Sequence, residues 1–326
     1  RNYLMMMDQK EGKGPAYMRT EEALGKIVAA EPDEKARKKK MKEVEAEAWE
    51  DFLDMTISQA ILWAGTNTAP EEKASEIQAC EPYFIGSHSG ASGAWLSGPE
   101  DLSPPEYFWG YNRMATVKGI FCAGDASGAS SHKFSDGSHA EGRIAAKAAL
   151  AYVVDNPEQP KVDTAQVEGL KTQILKPLDI FQEYSSLTDN ADVNENYIRP
   201  KHFMARLQKL MDEYAGGAST MFSTNKPSLE TALELLVFLK EDSEKLAAED
   251  LHELMRCWEN VHRMWQAEAH VRSVLFREET RWPGYYFRAD APKMDDQNWK
   301  CFVNCKWDPK TGQWDVLRRN ILQIVE

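Results

Sequence analysis

Gly119–Ala149, GIFCAGDASGASSHKFSDGSHAEGRIAAKAA, joins a short apolar run (Gly119–Ala123) to an acidic turn (Gly124, Asp125), a loop of Gly, Ser and Ala, and a loop-to-helix junction at Gly137–Ser138–His139. Small residues let backbone approach a flat ligand closely, and the first amides of a helix are free to donate to an electron-rich group. The pattern suits a phosphate or the edge of a flavin ring. The residues alone leave an ordinary strand–turn–helix connection equally open.

Around this stretch the chain is of ordinary globular make. Its 326 residues allow roughly two domains, and 42% hydrophobic residues are enough to build cores. A net charge of −13 argues against a nucleic-acid role, which depends on a surplus of Lys and Arg. No apolar run approaches the roughly 18–20 residues of a membrane span, and the start RNYLMMMDQK lacks a signal-peptide core, so a cytoplasmic chain is the default expectation. Five cysteines (Cys80, Cys122, Cys257, Cys301, Cys305) read as reduced thiols. Cys301 and Cys305 form CxxxC without a second pair nearby, so no metal site is expected.

Hydrophobic spacing predicts helix over Thr20–Ala64 with a break at Pro32, the KARKKKMK run forming a solvated face. A short strand is expected at Tyr83–Gly86 and a proline-rich loop at Pro99–Glu106. Ala140–Val154 reads as an Ala-rich helix closed by Asp155–Pro160. Further helices are predicted at Thr164–Tyr184, Pro200–Tyr214, Ser228–Leu246 (N-cap Ser228) and Asp250–Val274. The remainder, Phe276–Glu326, reads as an irregular aromatic tail. Six of ten tryptophans (Trp258, Trp265, Trp282, Trp299, Trp307, Trp314) lie at or near it, to dock a partner or to pack the tail onto its own body. Arg277, Arg281 and Arg288 face a similar choice between ligand contact and pairing with Glu278, Glu279 and Asp290.

With GPAYMRTEEAL (Gly14–Leu24), YFIGSHSGASGAWLSGPEDL (Tyr83–Leu102), EYFWGYNRMATVKG (Glu106–Gly119) and FREETRWPGYYFRADAPKMDDQNWKCFVN (Phe276–Asn304), the opening stretch resembles the fumarate reductase and succinate dehydrogenase flavoprotein superfamily. Within it the resemblance is to the alpha subunits of dissimilatory adenylylsulfate (APS) reductases. That superfamily holds the ADP half of FAD on an early GxGxxG, which is missing here, so the chain reads as an internal or C-terminal fragment. The implied fold class is an α+β fragment: the remainder of a capping domain (1–78), the C-terminal part of a Rossmann-like FAD-binding domain (79–154), a mainly helical domain (155–275) and an irregular tail (276–326).

The resemblance also implies roles. His88 would hold the anionic substrate beside the flavin, where the dicarboxylate enzymes carry His-x-x-x-Gly-Gly. Gly124 and Asp125 would meet the sugar-alcohol chain of FAD. Ser138 and His139, at the start of a helix beginning near Ala140, would meet the pyrimidine edge and stabilise its negative charge. Glu141 reads as a surface residue of that helix's first turn. Lys133, counted with the cofactor-binding residues, falls near the Arg that clamps a substrate carboxylate in the dicarboxylate enzymes, and a point charge in place of a forked guanidinium argues against fumarate or succinate. The implied activity is reversible FAD-dependent reduction of adenylylsulfate to sulfite and AMP through flavin N5, with electrons from a beta subunit that carries the iron–sulfur clusters. A fumarate reductase or succinate dehydrogenase flavoprotein and a non-catalytic assembly subunit are the alternatives.

Overall fold

A computed structural model describes residues 7–8, 11–55, 57–69, 73–77, 93–128, 135–281 and 287–322. The chain divides into two compact units, Arg1–Pro82 and Tyr83–Glu326.

In the first unit, helices α1 (Thr20–Ala29), α2 (Glu34–Met55) and α3 (Ile57–Thr66) lie in sequence between β1 (Ala16–Met18) and β2 (Ser75–Ile77), which pair as an antiparallel ribbon with Tyr17 opposite Glu76. The break falls at Pro32, as the sequence predicts. Asp33 then caps α2, its carboxylate accepting the Ala36 N–H at 2.8 Å. Val44 and Trp63 are buried, while Lys35, Arg37, Lys38, Lys39 and Lys42 are exposed, so the basic run is a solvated face.

The second unit begins with a region of single bridges instead of a sheet. Ala94 pairs with Ser127 in parallel, Leu96 with Ala115 and Met114 with Phe121 antiparallel. The strand expected over Gly119–Ala123 is reduced to the bridge at Phe121. A tight turn closed by Ile120 N–H to the Val117 carbonyl, with Gly119 at φ +81°, leaves no room for an extended run. The proline-rich loop at Pro99–Glu106 carries a 3-10 turn at Pro105–Tyr107.

Helix α4 (Ser135–Asp155) leads through an extended connection into α5 (Thr164–Tyr184), α6 (Pro200–Tyr214), α7 (Lys226–Ser243) and α8 (Leu251–Phe276). Each start has a chemical cause. Asp163 accepts from the Ala165 and Gln166 amides, Pro200 occupies the first turn of α6, and Asp250 accepts from the Glu253 amide. The N-cap of α7 is Asn225 and not the expected Ser228; Pro227 fits the first turn and moves the start upstream, with Ser228 donating its N–H to the Asn225 side chain. Phe203, Leu207, Leu229, Ala232, Leu236, Leu254, Met264 and Val271 form one core across α6, α7 and α8. Pro177 interrupts the hydrogen bonding of α5, and the nearby Ile174 carbonyl accepts the Trp258 indole N–H at 3.0 Å.

The tail is more regular than its sequence reading. After β4 (Phe287–Arg288), which pairs in parallel with β3 (Ser223–Thr224), and a short helix α9 (Asp296–Trp299), strands β5 (Cys301–Asp308) and β6 (Gln313–Asn320) form a hairpin in unbroken register, from Cys301 opposite Asn320 to Asp308 opposite Gln313. Asp308 organises the turn by accepting from the Lys310 N–H and the Thr311 hydroxyl, and Gly312 closes it at φ +67°. Trp307 faces Trp314 across the strands, and both rings meet Trp265 of α8 at centroid distances of 5.0 and 6.1 Å, with the Lys240 ammonium 3.7 Å above Trp265. The described tryptophans of this region therefore pack the tail onto its own body. Trp282 lies outside the described residues.

Among the described residues no helix is long and apolar enough to cross a membrane.

Candidate functional site

The predicted cofactor segment is built around a carboxylate. Gly124–Ala126 forms a 3-10 turn, entered by Gly124 at φ +62°, and the Gly124 N–H donates to Glu141 Oε2 at 3.0 Å. Ser127 Oγ donates to the same oxygen at 2.6 Å. Glu141 Oε1 lies 3.6 Å from Arg113 Nη2. Glu141 is buried, which corrects its reading as a surface residue: the turn that precedes α4 folds back over the helix and needs an acceptor there.

The turn is held equally from the other side. The Ala94 N–H donates to the Ala126 carbonyl at 2.8 Å and the Gly128 N–H to the Ala94 carbonyl at 2.9 Å. This crossing is so close that a Cβ on Gly93 would stand 2.5 Å from Gly128 N. A Cβ on Gly124 would come within 3.1 Å of Ser138 Oγ. These glycines allow backbone to pass backbone and helix to pass turn, as a shallow cradle for a flat group requires.

Asp125 stands exposed in the turn. Ser138 is half-buried beneath Gly124, and His139 is exposed next to it. The helix that carries them begins at Ser135, five residues before the expected start at Ala140, with Asp136 in its first turn favouring the helix dipole. The N–H groups of Ser138 and His139 therefore fall within the helical ladder. His88 and Lys133 lie outside the described residues. Of the expected site, then, Gly124, Asp125, Ser138 and His139 come together at one turn–helix junction.

Glu141 and Arg113 were missed, although one signal was present. Ser138, Glu141, Ala145 and Tyr152 share a helical stripe that is buried or half-buried, so the acidic residue sits on the inward face of an Ala-rich helix. Arg113 itself adopts φ +62°, a left-handed conformation rare for a side-chain-bearing residue, while its N–H donates to the Ser97 carbonyl and its carbonyl accepts from the Cys122 N–H.

The arginines of the FREETRWPGYYFRAD run are engaged internally. Glu279, fully buried, receives Arg277 and Arg281, both at 2.6 Å, and Arg281 also reaches Asp296 at 2.8 Å. Burial alone would raise the Glu279 carboxyl, but hydrogen bonds from Arg281, the Asp295 amide and Arg277 outweigh it and hold the group below its ordinary range. Arg288 pairs with Asp290 at 2.7 Å and donates to the Val274 and Arg277 carbonyls, capping the end of α8. Cys301 and Cys305 lie four residues apart on β5, about 13 Å by strand geometry, too far to share a metal. Among the described residues no cluster of His, Cys, Asp and Glu could hold one. Cys257 is buried among apolar side chains, which pushes its thiol up to about 12.

Residues 204–322 match the family described as fumarate reductase flavoprotein C-term. The whole chain aligns at 46% identity with the adenylylsulfate reductase subunit alpha of Megalodesulfovibrio gigas, covering 49% of that protein. A solved adenylylsulfate reductase from Archaeoglobus fulgidus superposes with a TM-score of 0.90 at 52% identity, over all of this chain and 50% of that one; a structure of adenosine-5-phosphosulfate reductase in complex with sulfite as a covalent adduct gives the same values. Mycobacterium smegmatis Sdh1, at 19% identity and a TM-score of 0.52 over 85% of this chain, shares the fold alone. The chain spans about half the length of the relatives it matches.

Proposed function

We propose that this chain, which belongs to the fumarate reductase flavoprotein superfamily on its adenylylsulfate reductase alpha-subunit branch, is the C-terminal half of an enzyme that reduces adenylylsulfate to sulfite and AMP, reversibly. The observation that carries the reading is the end-to-end likeness at 46% identity, which takes in the cofactor segment and the tail alike. In this reading residues 1–78 complete a capping domain, 79–154 the FAD-binding domain and 155–275 a helical domain, with 276–326 as the tail.

FAD fits the junction described. When bound, it supplies two electrons and a nucleophilic ring nitrogen. Asp125 accepts hydrogen bonds from the sugar alcohol, and the Gly124 turn, fixed by Glu141 and Ser127, lets the backbone lie flat beside it. The N-terminal end of α4, through its helix dipole, would present positive potential to the pyrimidine edge of the ring. Ser138 and His139 line this junction; Ser138 acts through its contact beneath Gly124. His88 takes the role of holding the sulfate-bearing substrate, and Lys133 that of a cofactor-binding residue. An iron–sulfur beta subunit supplies the electrons, and the assembled enzyme works in the cytoplasm.

The test is sulfite-dependent reduction of an electron acceptor by the full-length protein, produced anaerobically with its iron–sulfur subunit, with and without AMP and against succinate. Activity that needs both sulfite and AMP is expected. Activity with succinate would favour a dicarboxylate enzyme, and a protein without FAD would favour an assembly subunit.

A further inference from the structure

Arg319 has an unusual environment. Strand alternation sends Arg318 and Arg319 to opposite faces of β6, Arg318 over Trp299 at 5.0 Å and Arg319 toward the segment that precedes the cofactor turn. There its guanidinium lies 4.1 Å from the Tyr107 ring centre and 5.1 Å from Trp95, and the Trp95 ring is in contact with Tyr107 (5.4 Å) and Trp109 (5.7 Å). Its Nε is buried with no hydrogen-bond partner among the described residues, so the rings are its main company. Burial lowers its pKa, and Tyr107 and Glu106 offset this in part.

Trp95 stands between two backbone junctions. On one side Ala94 exchanges hydrogen bonds with Ala126 and Gly128, and Ser127 donates to Glu141. On the other, Ser97 exchanges them with Arg113 and Met114, Arg113 pairs with Glu141, and the Trp109 N–H donates to Ser97 Oγ at 2.7 Å. A ring fixed at residue 95 thus fixes both approaches to the Gly124–Ser127 turn.

We infer that Arg319 is a positioning residue for the flavin-facing turn: through its cage of Trp95 and Tyr107, the C-terminal hairpin acts as a strut that holds Ala94 against residues 126–128 and Ser97 against residues 113–114. The inference rests on the flavin reading above for the identity of the ligand, and on the cage geometry alone for the mechanical coupling. A strut predicts an effect that is local and distant from the hairpin, which a merely structural contact would not give.

The experiment compares wild type, Arg319→Gln, Arg319→Lys and Trp95→Phe in the full-length protein. Amide hydrogen exchange is followed by residue, and FAD release is followed after dilution. Arg319→Gln is expected to speed exchange at residues 94–97 and 126–128 about tenfold, and FAD release by a similar factor, while the amides of α6 to α8 keep their protection. Arg319→Lys keeps a cation over the rings and should recover part of the effect; Trp95→Phe should give the same pattern at smaller size. Unchanged exchange in the turn for Arg319→Gln and Trp95→Phe, or acceleration spread evenly over the whole unit, would overturn the strut. A wild-type protein that binds no FAD would overturn the flavin reading instead, and the exchange data would still decide the coupling.

Discussion

Between residues 93 and 128 the chain buries only Ser97, Met114, Gly124 and Ser127, whereas between Pro200 and Phe276 it buries a continuous apolar core from Phe203 to Val274. The first region takes its shape from backbone hydrogen bonds, glycine crossings and one shared carboxylate. The second takes its shape from the exclusion of water by leucines on three consecutive helices. Stability is therefore distributed unevenly, with the region of turns and bridges at the low end.

The sharpest way to break this contrast is to remove a core side chain. Phe203→Ala is expected to cost ~3–5 kcal/mol in denaturant unfolding of the helical region. A loss below ~1 kcal/mol would mean that the core is not what holds this region.

Next in size is the ionic knot at the foot of the tail. Glu279→Gln leaves Arg277 and Arg281 without their buried partner and should cost about 3 kcal/mol, read as earlier melting of the hairpin. The sign with pH follows from the lowered carboxyl. Its stabilising effect is full above about pH 4.5, the ordinary value, and is lost as pH falls through the lower folded value. The Gln variant should therefore lack this acid-dependent component, which a melting series from pH 7 down to pH 3 would test.

A smaller and more local effect is expected in the first region. Glu141→Gln weakens the acceptor shared by Gly124 and Ser127, for a cost of roughly 1–3 kcal/mol. Exchange of the Gly124 amide should quicken while the core helices keep their protection. Global unfolding at the same denaturant concentration in both regions would erase the distinction drawn above.

Gly124→Ala should cost about 1 kcal/mol, since φ +62° disfavours a side chain and the new methyl would press on the Ser138 hydroxyl. FAD content of the purified variant measures whether that small strain reaches the ligand.

Legibility in the sequence followed the same division. Helices α5 and α6 lie where Asp163 and Pro200 announce their starts, because capping and proline geometry are local. The burial of Glu141 was only faintly marked, by its place on one stripe of an Ala-rich helix, because the groups that need its carboxylate lie fourteen or more residues away at Gly124 and Ser127. The hairpin escaped notice among charges and aromatics, although the Lys310–Thr311–Gly312 turn and the tryptophans flanking it carry the signal. For Arg277, Arg281 and Arg288 the sequence offered both a ligand and a neighbour; carboxylates two residues away proved close enough to take them.

The meeting of Trp265, Trp307 and Trp314 also has an optical consequence. Three indoles held at centroid distances of 5.0 to 6.1 Å sit in a fixed, asymmetric environment, so the docked hairpin should imprint a band on the near-ultraviolet circular dichroism of the protein. Release of the tail would erase that band while leaving the far-ultraviolet helical signal in place, giving an unlabelled readout of a motion that ordinary melting curves average away.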